Sequence, residues 1–201
     1  LPVVTTLKAK GAFPENHPLS VGVRGDHVLK YMNDADLIFA VGASISPGRF
    51  GHGIPDATSK KIIQCNIDEY DINRMYPTTH AVIGDAKATL KSLVEELGNG
   101  SSEKKEQIEK EIASTTDQAM AQYHEVFTSD AKPINPYRVY GDLMKVLDRN
   151  NSFVTHESGN TRDQLSTVYE TLIPRGFLGW GNVSSLGFSF PAVTAAKLAH
   201  P

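Results

Sequence analysis

The amino-acid sequence predicts an α/β protein with parallel sheets, organised as two units. Short apolar runs alternate with segments of helical periodicity, which is the pattern of successive βαβ units. The run 37–41 is apolar without interruption, as is typical of a parallel strand covered on both faces. The length of 201 residues fits one large or two small domains, and a hydrophobic fraction of 40% can build a substantial core.

The first unit is predicted to alternate strands and helices up to Gly98. Strands are expected over 2–6, 37–41, 61–68 and 80–83, and helices over 27–32 and 85–97. Asp26 and Asp85 stand at the N-cap positions of these helices, and Gly98 stands at the C′ position after the second. Residues 8–25 are rich in glycine and proline, so we expect a long loop there.

A connecting segment precedes the second unit. Residues 98–102 have linker composition, and the apolar spacing over 103–127 predicts a long helix. The pair Asn135-Pro136 is typical of an N-cap followed by proline at the first helical position, so a new α/β unit begins there. We therefore predict domains at 1–98 and 133–201, with a linker and connecting helix over 99–132.

The second unit repeats the alternation of strands and helices. A helix to residue 147, strands over 153–155 and 176–178, and a helix over 186–198 are expected. Between the two strands, Thr161 and Gln164 have capping-box spacing, which predicts a helix start. The pair Ile173-Pro174 is expected to end that helix.

Composition narrows the classes of protein. A net charge of −3 gives no reason to expect nucleic acid or a membrane surface as a partner. The single cysteine, Cys65, cannot form an internal disulfide, and we interpret it as a small buried residue in a reducing compartment. No signal peptide and no apolar run near 18 residues is present, so we expect a cytoplasmic protein. We also expect a fragment, because the chain lacks an initiator Met and stops after a helix.

Two small polar turns between strands and helices are the most informative feature. The strand that starts at Phe153 leads into the turn 157–160, and a second turn, 184–187, follows the next strand. Such turns put backbone N–H groups and a helix N-terminus at the carboxyl end of a strand, where phosphate groups are commonly held. Two of them on neighbouring parallel strands would suit a diphosphate-bearing cofactor.

The usual motifs leave several functions open. Neither glycine-rich loop matches GxGxxG or GxxxxGK[ST], and there is no nucleophile elbow. The histidines are scattered, so no metal ligands are predicted. The residues alone indicate an α/β protein with loops suited to phosphate. A non-catalytic nucleotide- or flavin-binding module and a nicotinamide-dependent oxidoreductase stay open as alternatives.

A family resemblance adds to this. The segments PVVTT, KGAFPENHPLSVGVRG, ADLIFAVGA, IIQCNID and VIGDAKATL resemble, in order, the central domain of thiamine diphosphate-dependent enzymes of the acetolactate synthase type. The run SSLGFSFPAVTAAKLAHP resembles the start of the cofactor-diphosphate domain of the same enzymes. The resemblance implies an incomplete Rossmann-like central domain without its first βα unit, followed by the first α/β units of an incomplete thiamine diphosphate-binding domain.

The resemblance also implies which residues bind the cofactor. Leu186 falls where the family has a bulky apolar residue that bends the cofactor, so that its amino group nears the reacting carbon. The alternative for Leu186 is core packing, and for the turn 159–161 it is a plain turn and helix cap. Ser184 and Ser189 stand where the family usually has glycine. The positions implied to contact the cofactor are Gly159, Asn160, Thr161, Ser184, Ser185, Leu186 and Gly187.

A nucleotide site in the central domain is less well supported. Some relatives bind FAD there, and others bind ADP or nothing. Arg49 resembles an FAD-contacting arginine, and Asp68 lies at the end of a strand where a nucleotide would sit. The loop around Arg49 departs from the family pattern, so FAD is left open but not expected. We favour a helix cap as the role of Asp68.

The activity implied is that of a 2-oxo acid decarboxylase and carboligase. In the family, the cofactor ylid attacks the keto carbon of a pyruvate-like substrate and CO₂ leaves. The resulting enamine is then trapped by a second carbonyl compound. The Mg²⁺ motif and the activating glutamate of the family have no counterpart in these 201 residues. We therefore expect no catalytic residue here and an inactive fragment, with thiamine diphosphate and Mg²⁺ bound in a complete homodimer or homotetramer.

Overall fold

The computed structural model describes residues 1–47, 53–98, 104–180 and 183–201. The chain divides into two compact units: unit 1 consists of Leu1–Val28 and Glu106–Pro201, and unit 2 of Leu29–Lys105. The domain boundaries predicted from the sequence are not tested by this division and stay a prediction. In the part of the chain that the structure describes, no helix is both long and apolar enough to cross a membrane.

Seven strands and seven helices are described. The strands are β1 (Val3–Val4), β2 (Ser20–Gly22), β3 (Leu37–Val41), β4 (Lys61–Asn66), β5 (His80–Ile83), β6 (Val154–Thr155) and β7 (Phe177–Leu178). The helices are α1 (Asp26–Asp34), α2 (Ala86–Leu97), α3 (Lys105–Ala121), α4 (His124–Phe127), α5 (Pro136–Val146), α6 (Asn160–Val168) and α7 (Ser189–Ala199). All described strand pairs are parallel, which confirms the predicted parallel α/β fold class.

Unit 2 is built on a three-stranded parallel sheet in the order β3-β4-β5. The central strand carries most of its buried residues, and both Ile62 and Cys65 are fully buried there. Only Ala40 of β3 is buried, and Leu37 is 42% exposed, so the expected cover on both faces of that strand is not seen among the described residues. Asp85 caps α2 as predicted, because its side chain accepts the Ala88 N–H at 2.9 Å.

Unit 1 contains two parallel strand pairs, β1 with β2 and β6 with β7. Its core forms where α5 and α6 pack on the second pair. Asn135 accepts the Tyr137 N–H at 2.9 Å and so caps α5, as the sequence predicts. The buried residues of this core are Tyr140, Val154, Leu165, Val168, Tyr169 and Phe177.

Three sequence expectations fail for tertiary reasons. The loop predicted over 8–25 contains β2, whose residues pair with β1 and bury Val21. The helix predicted over 103–127 breaks into α3 and α4 at Tyr123, whose ring packs against Tyr137 at a centroid distance of 5.0 Å. The helix predicted to begin at 186 starts at Ser189, because Gly187 has a φ of 79° and cannot continue a right-handed helix.

Helix α6 also differs from expectation at both ends. It starts after Gly159, and the Thr161 hydroxyl donates to the Glu157 carbonyl oxygen, so the predicted capping box does not form. It ends at Val168 and not at residue 173. The backbone is extended at Tyr169, and the carboxylate of Glu15, which forms a buried ion pair with Lys10, accepts the Thr171 N–H at 2.6 Å. That N–H is therefore not used to continue the helix.

Candidate functional site

Two loops lie side by side at one edge of the β6–β7 pair. Val154 pairs with Phe177 and Thr155 with Leu178, so both strands run in the same direction. The first loop (residues 156–159) connects β6 to α6, and the second loop (residues 183–188) leads into α7. Because parallel strands end at the same edge of a sheet, the polar turns predicted from the sequence are neighbours.

Glu157 bridges the two loops. Its Oε1 accepts the N–H of Ser158 at 2.9 Å and the N–H of Gly187 at 3.0 Å. Its Oε2 accepts the N–H of Ser189 at 3.2 Å and the hydroxyl of Ser189 at 2.9 Å. One carboxylate therefore satisfies four donors: one from the first loop, one from the second loop, and the N–H and hydroxyl of Ser189, the first residue of α7.

These hydrogen bonds favour the ionised form of the carboxyl group. The Ser158 N–H is the largest cause, followed by the Ser189 hydroxyl, and together the donors lower the pKa of Glu157 from 4.5 to about 2. Glu157 is therefore a carboxylate throughout the neutral range. The sequence marks it as an acidic residue at the end of a strand, but three of its four donors, on Gly187 and Ser189, lie about 30 residues away and carry no local signal.

A second contact joins the loops through hydroxyl groups. The Oγ atoms of Ser158 and Ser184 lie 2.8 Å apart. Ser184 has a φ of 62°, in the left-handed region, where a residue other than glycine costs roughly 1–2 kcal/mol. The family's usual glycine at this position would adopt that φ freely. The hydroxyl contact helps to hold the serine in it.

Leu186 stands on the second loop with its side chain in solvent. It is 83% exposed, and Val183 and Phe190 beside it are 73% and 78% exposed. Core packing, the alternative explanation for this leucine, is therefore not seen among the described residues. An exposed apolar group on a loop held by hydrogen bonds is suited to contact a ligand.

The start of α6 offers backbone donors to an anion. Gly159 has a φ of 93°, and a Cβ atom added there would meet nothing within 4 Å. Gly159, Asn160 and Thr161 are all exposed, so their backbone is open to solvent. Because α6 has nine residues, its first turn carries the partial positive charge of a full helix end. Exposed backbone donors at the N-terminus of a helix are suited to contact an anion.

A packed aromatic cluster supports the first loop from beneath. His156 is 2% exposed, and its ring lies against Phe177 and Trp180 with centroid distances of 5.4 and 5.5 Å. Burial lowers the pKa of His156, so the neutral form is favoured. The Arg162 guanidinium lies 5.5 Å from the Trp180 ring centre. This histidine is part of the packed interior of unit 1.

The predicted site residues fall into three groups. All seven cofactor positions lie on the two loops or at the start of α6, and one of them, Gly187, already donates its N–H to Glu157. Asp68 accepts the Tyr70 N–H at 3.0 Å and so caps a short helical turn, the role we favoured. Arg49 lies outside the described residues. Among the described residues, no group of three or more His, Cys, Asp or Glu could hold a metal ion.

Comparison with known proteins identifies the relatives of this chain. Residues 1–93 match the family model described as thiamine pyrophosphate enzyme, central domain. The whole chain aligns at 33% identity with a probable acetolactate synthase large subunit of Methanocaldococcus jannaschii and at 32% with one of Methanococcus aeolicus. It also aligns at 26% with the acetolactate synthase isozyme 3 large subunit of Escherichia coli K12. All 201 residues of the chain are therefore similar to acetolactate synthase large subunits.

The chain covers about a third of the length of these relatives. It aligns with 35% of the Methanocaldococcus jannaschii protein and with 36% of the Escherichia coli protein. The family resemblance stated from the sequence is confirmed, as is the α/β fold that goes with it. The comparisons do not test the individual site residues, which stay predictions.

Proposed function

We propose that this chain works as part of a thiamine diphosphate-dependent 2-oxo acid decarboxylase and carboligase of the acetolactate synthase type. The observation that carries the proposal is the similarity to acetolactate synthase large subunits over all 201 residues. The match to a thiamine pyrophosphate enzyme domain supports thiamine diphosphate as the cofactor. A small 2-oxo acid is the substrate class that goes with these relatives.

In this proposal the two loops hold different parts of the cofactor. Backbone N–H groups at the start of α6, from Gly159 to Thr161, bind the diphosphate. Leu186 supplies an apolar contact beside the middle of the cofactor. When bound, thiamine diphosphate supplies a stabilised carbanion and an electron sink for decarboxylation. The residues of this chain position the cofactor and carry no acid–base step.

Other components follow from the resemblance alone. We propose Mg²⁺ as the partner of the diphosphate in the complete enzyme and assign none of its ligands to this chain. FAD is not required by the proposal. We also propose a homodimer or homotetramer in the cytoplasm, where the single cysteine stays reduced.

Turnover by the complete enzyme tests the proposal. We expect it to release CO₂ from pyruvate only when thiamine diphosphate and Mg²⁺ are present, and we expect the 201 residues alone to release none. Flavin or nucleotide retained on purification, together with no response to thiamine diphosphate, would favour the non-catalytic module. Hydride transfer from NADH would favour an oxidoreductase.

A further inference from the structure

The second loop is fixed on both sides of Leu186. Before it, the Ser184 hydroxyl lies 2.8 Å from a serine hydroxyl of the first loop. After it, the N–H groups of Gly187 and Ser189 donate to Glu157 at 3.0 and 3.2 Å. Leu186 itself is 83% exposed, so burial does not fix its position. Its neighbours determine where this side chain points.

Glu157 provides most of these contacts. One carboxylate oxygen accepts from Gly187 on the second loop, and the other accepts from the N–H of Ser189 directly after it and from the Ser189 hydroxyl at 2.9 Å. Hydrogen bonds to an ionised acceptor are about twice as strong as those between neutral groups. The backbone N–H groups at the start of α7 also attract an anion, and the Glu157 carboxylate is the anion that they contact. The bridge therefore orders the second loop without any ligand.

We propose that Glu157 is a positioning residue that holds the second loop so that Leu186 is presented to the cofactor. This inference rests on the proposed function, because only there does Leu186 contact a cofactor. Glu157 needs no contact with the cofactor or the substrate for this role. It acts through Gly187 and Ser189, the residues that follow Leu186.

Amide exchange in the cofactor-free chain tests the bridge itself. Glu157→Gln keeps the side-chain size but removes the charge and replaces one acceptor with a donor. We expect the Gly187 and Ser189 amides to exchange about ten-fold faster in this variant, measured residue by residue by NMR. Glu170→Gln is the matched control, since it breaks an ion pair with Arg149 elsewhere in unit 1 and leaves these amides unchanged. Equal exchange in the wild type and Glu157→Gln would overturn the proposal.

A milder variant provides a second test of the bridge in case Glu157→Gln does not fold. Ser189→Ala removes one hydroxyl donor and leaves both backbone donors to Glu157 in place. If Glu157→Gln does not fold, we expect Ser189→Ala to speed exchange of the Gly187 amide by about two- to three-fold. No change at Gly187 in Ser189→Ala would then count against the bridge.

A double-mutant cycle in the complete enzyme tests positioning of Leu186. We expect Glu157→Gln and Leu186→Ala each to lower kcat about ten-fold or more, with a smaller change in cofactor affinity. The double variant should be no worse than the poorer single variant, because both changes remove the same contribution. Losses that multiply would show that Glu157 acts independently of Leu186 and would overturn the inference. A wild-type enzyme without thiamine diphosphate-dependent turnover would instead refute the proposed function, and the exchange experiment would still stand.

Discussion

Two leucines of unit 1 should respond in opposite ways to the same truncation. Leu186 is 83% exposed, whereas Leu165 is 4% exposed in the core between α6 and the β6–β7 pair. Since only about a sixth of Leu186 is hidden, Leu186→Ala should cost less than about 0.5 kcal/mol of unfolding free energy. Leu165→Ala leaves a cavity and should cost about 2–5 kcal/mol.

Activity should show the reverse order. Leu186→Ala should lower kcat of the complete enzyme about ten-fold or more with little change in cofactor affinity, because in the proposed function the side chain shapes the bound cofactor and does not grip its diphosphate. Leu165→Ala should lower the amount of folded protein while kcat per folded enzyme stays close to the wild type. Denaturant unfolding and steady-state kinetics on both variants provide the comparison. If Leu186→Ala destabilises the fold as much as Leu165→Ala, or leaves turnover unchanged, its assignment to the cofactor site is refuted.

Three further predictions concern the interactions around this site. The pKa of Glu157 in the folded state is depressed to about 2, so its carboxylate stabilises the fold fully above pH 4.5, and this stabilisation is lost as the pH falls towards 2. The unfolding free energy of Glu157→Gln should therefore lack this part of the pH dependence in acid unfolding. Glu15→Gln leaves the buried Lys10 ammonium without its partner and should cost about 3–5 kcal/mol in denaturant unfolding, whereas a double replacement with apolar residues should recover much of that loss. Asn135→Ala removes the cap of α5 and should cost about 1 kcal/mol, while Asn135→Asp, which keeps the acceptor, should be close to the wild type.

Local sequence signals were enough for most of unit 2. The strands β3 and β5 occupy the residues predicted. The apolar run marks the extent of each strand, and the turn residues that follow mark where it ends. Asp85 and Gly98 delimit α2 as predicted, since a capping side chain and a glycine with φ of 61° act within their own turn. Cys65 is buried in β4, as its apolar surroundings indicate.

The missed features depend on partners that are distant in the sequence. The Glu15 carboxylate accepts the N–H of Thr171, which lies 156 positions later in the sequence. This contact keeps the segment after α6 out of the helix, although no helix-breaking residue stands there before Pro174. The strand β2 forms in a glycine- and proline-rich segment because β1 lies beside it. Glu157 is visible in the sequence as an acidic residue after a strand, but its bridge to the second loop depends on the pairing of β6 with β7.

Calorimetric titration of the complete protein with thiamine diphosphate tests most directly whether the two loops form a cofactor site. With Mg²⁺ present, we predict saturable binding by the wild type. Asn160→Asp places a negative charge at the start of α6 and should weaken binding at least about ten-fold, because it repels the diphosphate. Asn150→Asp makes the same substitution before β6, at the opposite end of that strand, and should bind as the wild type does. Binding that is unchanged in Asn160→Asp, or absent in the wild type, would contradict the assignment of this site.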